Sequence, residues 1–145
     1  LKCGVQLGLP GADFGNGRIE RSSFARVARG LALTAVPSGI KGVVVQKNLF
    51  TEVSGSEADI AGAGEPQVQT LNSGTTATHN WTSRPAESVD KLPWKLFTTA
   101  GRSAIGSVEF ASTEPNDPGF LRPRSPDLRA PAAPGGDKFI GAVSP

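Results

Sequence analysis

The sequence predicts an all-β fold, a solenoid of short stacked parallel strands, with a β-sandwich of hairpins as the alternative. Three observations carry that prediction. A nine-residue block recurs: Ile19-Glu20-Arg21-Ser22-Ser23-Phe24-Ala25-Arg26-Val27 is matched at an offset of 26 residues by Val45-Gln46-Lys47-Asn48-Leu49-Phe50-Thr51-Glu52-Val53. Apolar residues make up only 37% of the 145-residue chain, with seven Phe, two Trp and no Tyr or Met. That is thin for one thick core. Eighteen Gly and twelve Pro demand frequent turns without the strict period of collagen.

The repeat has a direct physical meaning. Successive coils of a parallel solenoid lie roughly 4.8 Å apart, so equivalent residues stack on one another. Ile19 meets Val45, Phe24 meets Phe50 and Val27 meets Val53, which predicts three interior ladders. Arg21 meets Lys47 on what is predicted as an outward column of cations. Small residues follow each block, Gly30 in one copy and Gly55-Ser56 in the other, as a bend requires. Leu31 and Leu33 then alternate with Ala32 and Thr34 as a half-buried strand, Pro37-Ser38-Gly39 turns the chain, and Val43-Val44-Val45 opens the next coil.

Further along, residues 62–83 are rich in Gly, Ser, Thr, Asn and Gln and read as a long polar insertion or protruding loop. In the repeat region before them, helical spacing does not persist beyond about one turn. Lys91 to Phe97 and a turn at Gly101 lead to a predicted last strand, Ile105-Gly106-Ser107-Val108-Glu109-Phe110. From Ser112 proline becomes frequent and regular structure is not expected. The expected organisation is therefore solenoid coils over 1–111, an insertion around 62–104, and an irregular Pro/Gly-rich C-terminal cap over 112–145. The chain opens on Leu1 rather than Met and is read as a fragment or processed product.

The tail carries a resemblance. Asp117-Pro118-Gly119-Phe120-Leu121-Arg122-Pro123, then Ser125-Pro126, then Gly135-Gly136-Asp137, then Phe139-Ile140-Gly141-Ala142-Val143 follow in that order. The series resembles the closing segment of bacterial right-handed parallel β-helix proteins with pectate-lyase-like repeats, and the Phe-x-x-Val blocks resemble their coils. Leu128-Arg129-Ala130-Pro131 departs from the small-residue stretch usual there. The resemblance implies a right-handed parallel β-helix whose tail covers the last strand edge. It also implies that polysaccharide lyases or hydrolases are among the relatives, working through clustered acids.

Charge and chemistry narrow the function. Fifteen Lys and Arg against thirteen Asp and Glu leave +2, too little for a nucleic-acid footprint. No stretch approaches the ~18 apolar residues of a membrane span. The single cysteine, Cys3, excludes an intramolecular disulfide and a thiolate metal site. His79 is the only histidine, so a His-His metal pair is excluded; it reads as a surface-loop residue. No phosphate-binding motif is present, and no cofactor or metal is expected. The repeat places Glu20 over Gln46 and Arg26 over Glu52, alternating partners rather than a carboxylate cluster. Glu52, Glu57 and Asp59 converging at one bend is the remaining way to assemble one.

No catalytic residue is assigned. Ligand-binding candidates are the cations Arg21 and Lys47, which could face acidic glycans, and the rings of Trp81 and Trp94, which could stack on sugars or anchor an interface. The sequence thus points to a non-catalytic structural or binding module of a larger bacterial protein, presenting a solenoid face to carbohydrate or protein. The alternatives are the C-terminal part of a polysaccharide lyase or hydrolase with catalytic coils upstream, and a subunit of a larger assembly held by its insertion and tail. The residues leave the compartment open; a secreted or cell-surface setting is compatible with the resemblance.

Overall fold

The computed structural model describes residues 3–7, 14–33, 40–61 and 64–124. Over these the chain is all-β in class, with two short helices. In chain order the elements are β1 (Cys3–Leu7), β2 (Phe14–Gly15), β3 (Arg18–Glu20), β4 (Ser23–Ala25), β5 (Arg29–Leu33), β6 (Ile40–Lys41), β7 (Val43–Gln46), β8 (Leu49–Thr51) and β9 (Ser56–Ile60). Helix α1 (Glu65–Gly74), β10 (Thr75–Thr78), β11 (Trp81–Thr82), α2 (Ala86–Val89) and β12 (Ala104–Ile105) complete them. The strands form four sheets in the orders β1-β5-β9, β2-β6, β10-β7-β3 and β12-β11-β8-β4. Every ladder between these strands is parallel.

The repeat in the sequence is a pairing register. Cys3 pairs with Arg29, Phe14 with Ile40, Ile19 with Val45 and Phe24 with Phe50, so all four sheets share one offset of 26 residues at this level. At the next level Val43 pairs with Thr75 and Leu49 with Trp81, an offset of 32. One of the six additional residues enters before β9, which pairs with β5 at an offset of 27, and the segment containing α1 supplies the other five.

The interior is apolar and aromatic. Leu31, Leu33, Val43, Val45, Phe50, Leu71, Trp94 and Leu96 are fully buried, with Phe24 and Val27 nearly so. Removing each large side chain from water stabilises the fold by roughly 1.5–3 kcal/mol. Glycine makes room for the rings: a Cβ on Gly30 would lie 2.6 Å from Phe50 Cε1, and Gly4 stands equally close against Phe24. One level on, this pairing changes. Glu57 takes the register position of Gly30, and Thr82 takes that of Phe50. Thr82 Oγ1 donates to Glu57 Oε1 at 2.8 Å, Arg84 Nε lies 3.0 Å from the same oxygen, and Arg84 Nη2 donates to the Val53 carbonyl. A buried polar trio thus replaces the third ring, and Glu57 Oε2 has no hydrogen-bond partner.

The structure corrects several expectations. Residues 62–104 are not one polar insertion, because β10, β11 and β12 within them continue existing sheets. Thr75-Thr76-Ala77-Thr78 reads as loop by polarity, yet β-branched threonines suit a pleated, half-buried strand. The reading of residues 62–83 as insertion or loop also misses a helix, α1. Pro66 falls in its first turn, the Gly64 N–H donates to Gln67 Oε1 at 2.6 Å, and Leu71 is its only buried residue. One buried side chain in ten leaves little helical periodicity to detect. The predicted last strand is only Ala104–Ile105 in ladder form; beyond it the chain crosses the outer face of β8 and β11, packing Val108 and Phe110 on Leu49 and Trp81. In the predicted cap, Phe110 bridges Pro123 and Ser112 bridges Phe120, so residues 112–124 are ordered by pairing. Pro37-Ser38-Gly39 and the tail motifs from Ser125 onward lie outside the described residues.

Candidate functional site

One bend of the chain repeats four times with the same chemistry. Between β3 and β4 it is Arg21-Ser22, between β7 and β8 Lys47-Asn48, between β10 and β11 His79-Asn80, and before β12 Arg102-Ser103. The first residue of each pair has a left-handed backbone, with φ of 51°, 55°, 54° and 53°. Backbone bonds climb the column: Arg21 N–H to the Gln46 carbonyl, Lys47 N–H to Thr78, and His79 N–H to Gly101. The second residue of each pair supplies a buried polar ladder. Asn48 Oδ1 accepts from Ser22 N–H, Asn80 Oδ1 accepts from both Asn48 N–H and Asn48 Nδ2, and Ser103 Oγ accepts from Asn80 N–H. Asn80 Nδ2 in turn donates to the carbonyls of Val45 and Leu96. Short amides with both donors and an acceptor satisfy a bend that would otherwise bury unpaired backbone groups.

This column holds two of the residues singled out from sequence. Arg21 is exposed, whereas Lys47 is only 5% exposed and so is not part of an open outward strip. His79, read from sequence as a surface-loop residue, stands in the same column and is nearly buried, with Nε2 lacking a hydrogen-bond partner. Desolvation, then Arg102, then Lys47 hold its pKa below the ordinary imidazole value. The signal for it was present: a basic or imidazole residue followed by Ser or Asn recurs at each bend.

The two tryptophans play packing roles. Trp94 is fully buried, and its Nε1 donates to Thr75 Oγ1 at 3.1 Å. Trp81 is half-buried on the outer face of β11, and its Nε1 donates to the Gly106 carbonyl at 2.8 Å. Trp94 therefore presents no face to a ligand.

The carboxylates are distributed singly among cations. Glu52 meets Arg26 at 2.8 Å, Asp59 meets Arg29 at 3.2 Å and Glu57 meets Arg84 at 3.0 Å, so the three do not converge. Glu20 lies 3.0 Å from Arg18 and accepts from Gln46 Nε2 at 2.6 Å; the Arg18 and Gln46 bonds hold its carboxyl below the ordinary value. Among the described residues no three His, Cys, Asp or Glu side chains gather where they could hold a metal.

An open groove with a partly polar lining lies beside α1. It encloses about 620 Å³ between Lys41 of β6 and the Pro66, Gln69, Thr70, Ser73 and Gly74 face of α1. Thr70 Oγ1 donates to the Pro66 carbonyl and Ser73 Oγ to the Gln69 carbonyl. Their hydroxyl protons are thereby committed, leaving oxygen lone pairs to accept. Asn72 braces the helix, donating through Nδ2 to the Pro93 carbonyl and accepting from Lys95 N–H. No helix among the described residues is long and apolar enough to cross a membrane. Comparison with protein-family models, curated proteins and solved structures finds no match to this chain.

Proposed function

We propose that this chain forms part of a right-handed parallel β-helix and serves as a non-catalytic module that binds carbohydrate in the groove between Lys41 and α1. The architectural part rests on one shared 26-residue register across four sheets and on like residues stacking at successive levels, Phe on Phe and Asn on Asn. Crossover connections between parallel strands are right-handed in the great majority of cases. The observation that carries the binding reading is the groove's lining. Gln69 offers an amide, Thr70 and Ser73 offer acceptors, and exposed Lys41 offers donors, an array matched to the alternating donors and acceptors of a polyol. The acids engaged one by one with arginines favour binding over glycosidic cleavage, which requires a facing pair.

The test is a titration of the labelled protein with a neutral and an acidic oligosaccharide, followed by backbone NMR and by product analysis. Binding confined to α1 and Lys41, weakened at least tenfold in Gln69→Ala/Ser73→Ala with sugar length unchanged, supports the reading. Shifts elsewhere, or none, overturn the site. Shortened or unsaturated products overturn the non-catalytic assignment.

A further inference from the structure

A second concavity lies on the outer face of the β4–β8 sheet, where residues 106–124 cross it. Ala25, Arg26 and Glu52 form its floor and one side; Phe110, Thr113, Pro115, Phe120 and Leu121 form the rest, around about 190 Å³. An apolar cavity of about 150 Å³ suffices for a benzene ring. We infer that this pocket is a binding site for a neutral single-ring phenol, its ring among Phe110, Phe120 and Leu121 and its hydroxyl at the Arg26–Glu52 pair.

Hydrogen bonds within the covering loop support a built site. The covering loop is held in shape: Gly119 N–H donates to Asp117 Oδ1 at 2.6 Å, Phe120 N–H to the Asp117 carbonyl, Ala111 N–H to the Arg122 carbonyl and Arg124 N–H to the Glu109 carbonyl. The pocket therefore exists before any ligand arrives, which lowers the ordering cost of binding.

Charge complementarity selects the head group. Arg26 Nε and Glu52 Oε2 are 2.8 Å apart, and both side chains are more than half exposed. A phenol hydroxyl can donate to Glu52 while accepting from Arg26. A carboxylate would be repelled by Glu52 and an ammonium by Arg26, whereas a bare hydrocarbon ring forgoes both bonds.

The test uses the full chain and p-cresol, benzoate, benzylamine and toluene as probes in NMR titrations. A ring of this size supports dissociation constants on the order of millimolar. The expected ranking places p-cresol at least fivefold tighter than the other three, with shifts at Phe110, Phe120 and Leu121. Ala25→Leu fills the floor and should weaken p-cresol at least tenfold, its fold checked by an unchanged amide spectrum elsewhere. Should that variant not fold, Glu52→Gln gives a second reading: removing the anion should raise benzoate affinity above that of p-cresol. No shift at the pocket, equal binding of all four probes, or a Glu52→Gln variant that leaves the ranking unchanged overturns the proposal.

Discussion

The ring of Phe24 lies on that of Phe50 with centroids 4.7 Å apart and planes inclined by 18°, while Phe97 meets Phe50 edge-on at 5.4 Å. The stack repeats at the strand spacing, so ring geometry and strand register enforce one another. Gly4 and Gly30 leave the facing space open. Phe50→Ala is expected to cost about 3–5 kcal/mol of stability in urea unfolding. Gly30→Ala should also destabilise, since its methyl meets the ring. If Phe50→Leu relieves part of the Gly30→Ala penalty in a double-mutant cycle, the two positions share one layer; strict additivity would refute that.

Asn80 is the most heavily bonded side chain of the bend column. Asn80→Ala strands the Asn48 N–H and the Val45 and Leu96 carbonyls in a buried setting. Each such loss costs roughly 1–3 kcal/mol. Asn80→Asp retains the acceptor but not the donors when ionised. Its deficit relative to the parent should therefore shrink as pH is lowered through the carboxylate range, read by denaturant midpoints at several pH values.

The trio of Glu57, Thr82 and Arg84 ends the ring stack with charge. Glu57→Ala leaves Arg84 without its carboxylate and should cost about 3 kcal/mol, the lower end for a broken buried pair because Arg84 is partly exposed. The layers above pair glycine with phenylalanine. Glu57→Gly combined with Thr82→Phe should consequently recover part of the loss, whereas either substitution alone should not. Thermal midpoints of the two singles and the double decide it.

His79 links stability to acidity. Its folded pKa is depressed below 6.5, so from that value downward the unfolded chain accepts a proton that the folded chain resists. Stability should fall as pH drops through about 6.5 and below, and at pH values well above it His79 contributes no slope. His79→Asn, which tolerates the left-handed backbone, should flatten that slope. Glu20 is shifted in the same direction, by its bonds to Arg18 and Gln46: its lowered pKa adds stability above about 4.5 that is lost on further acidification, which keeps the two windows apart.

How much of this was legible follows from the kind of signal each residue left. The Phe24–Phe50 register was readable because large apolar residues recur at fixed spacing, whereas the alternate burial of Leu92, Trp94 and Leu96, which removes Trp94 from the ligand candidates, was not drawn from it. Arg26–Glu52 and Glu20–Gln46 followed from the same register. The third level escaped because the offset grows from 26 to 27 at β9 and, across the segment containing α1, to 32, and because Thr82 and Glu57 break the apolar pattern there. The burial of Lys47 and His79 was hidden for another reason: they occupy the two middle levels of a bend column whose end members Arg21 and Arg102 are exposed, and no hydropathy period reports a bend.

The pairing offsets carry a consequence for mechanics. Each described strand ladder closes a loop of a few tens of residues, and the entropy of closing such loops changes only slowly with their length. On the solenoid reading proposed above, ordering proceeds by local growth on a pass already in place, and a chain pulled from its ends yields in increments of about one pass rather than in one collective rupture.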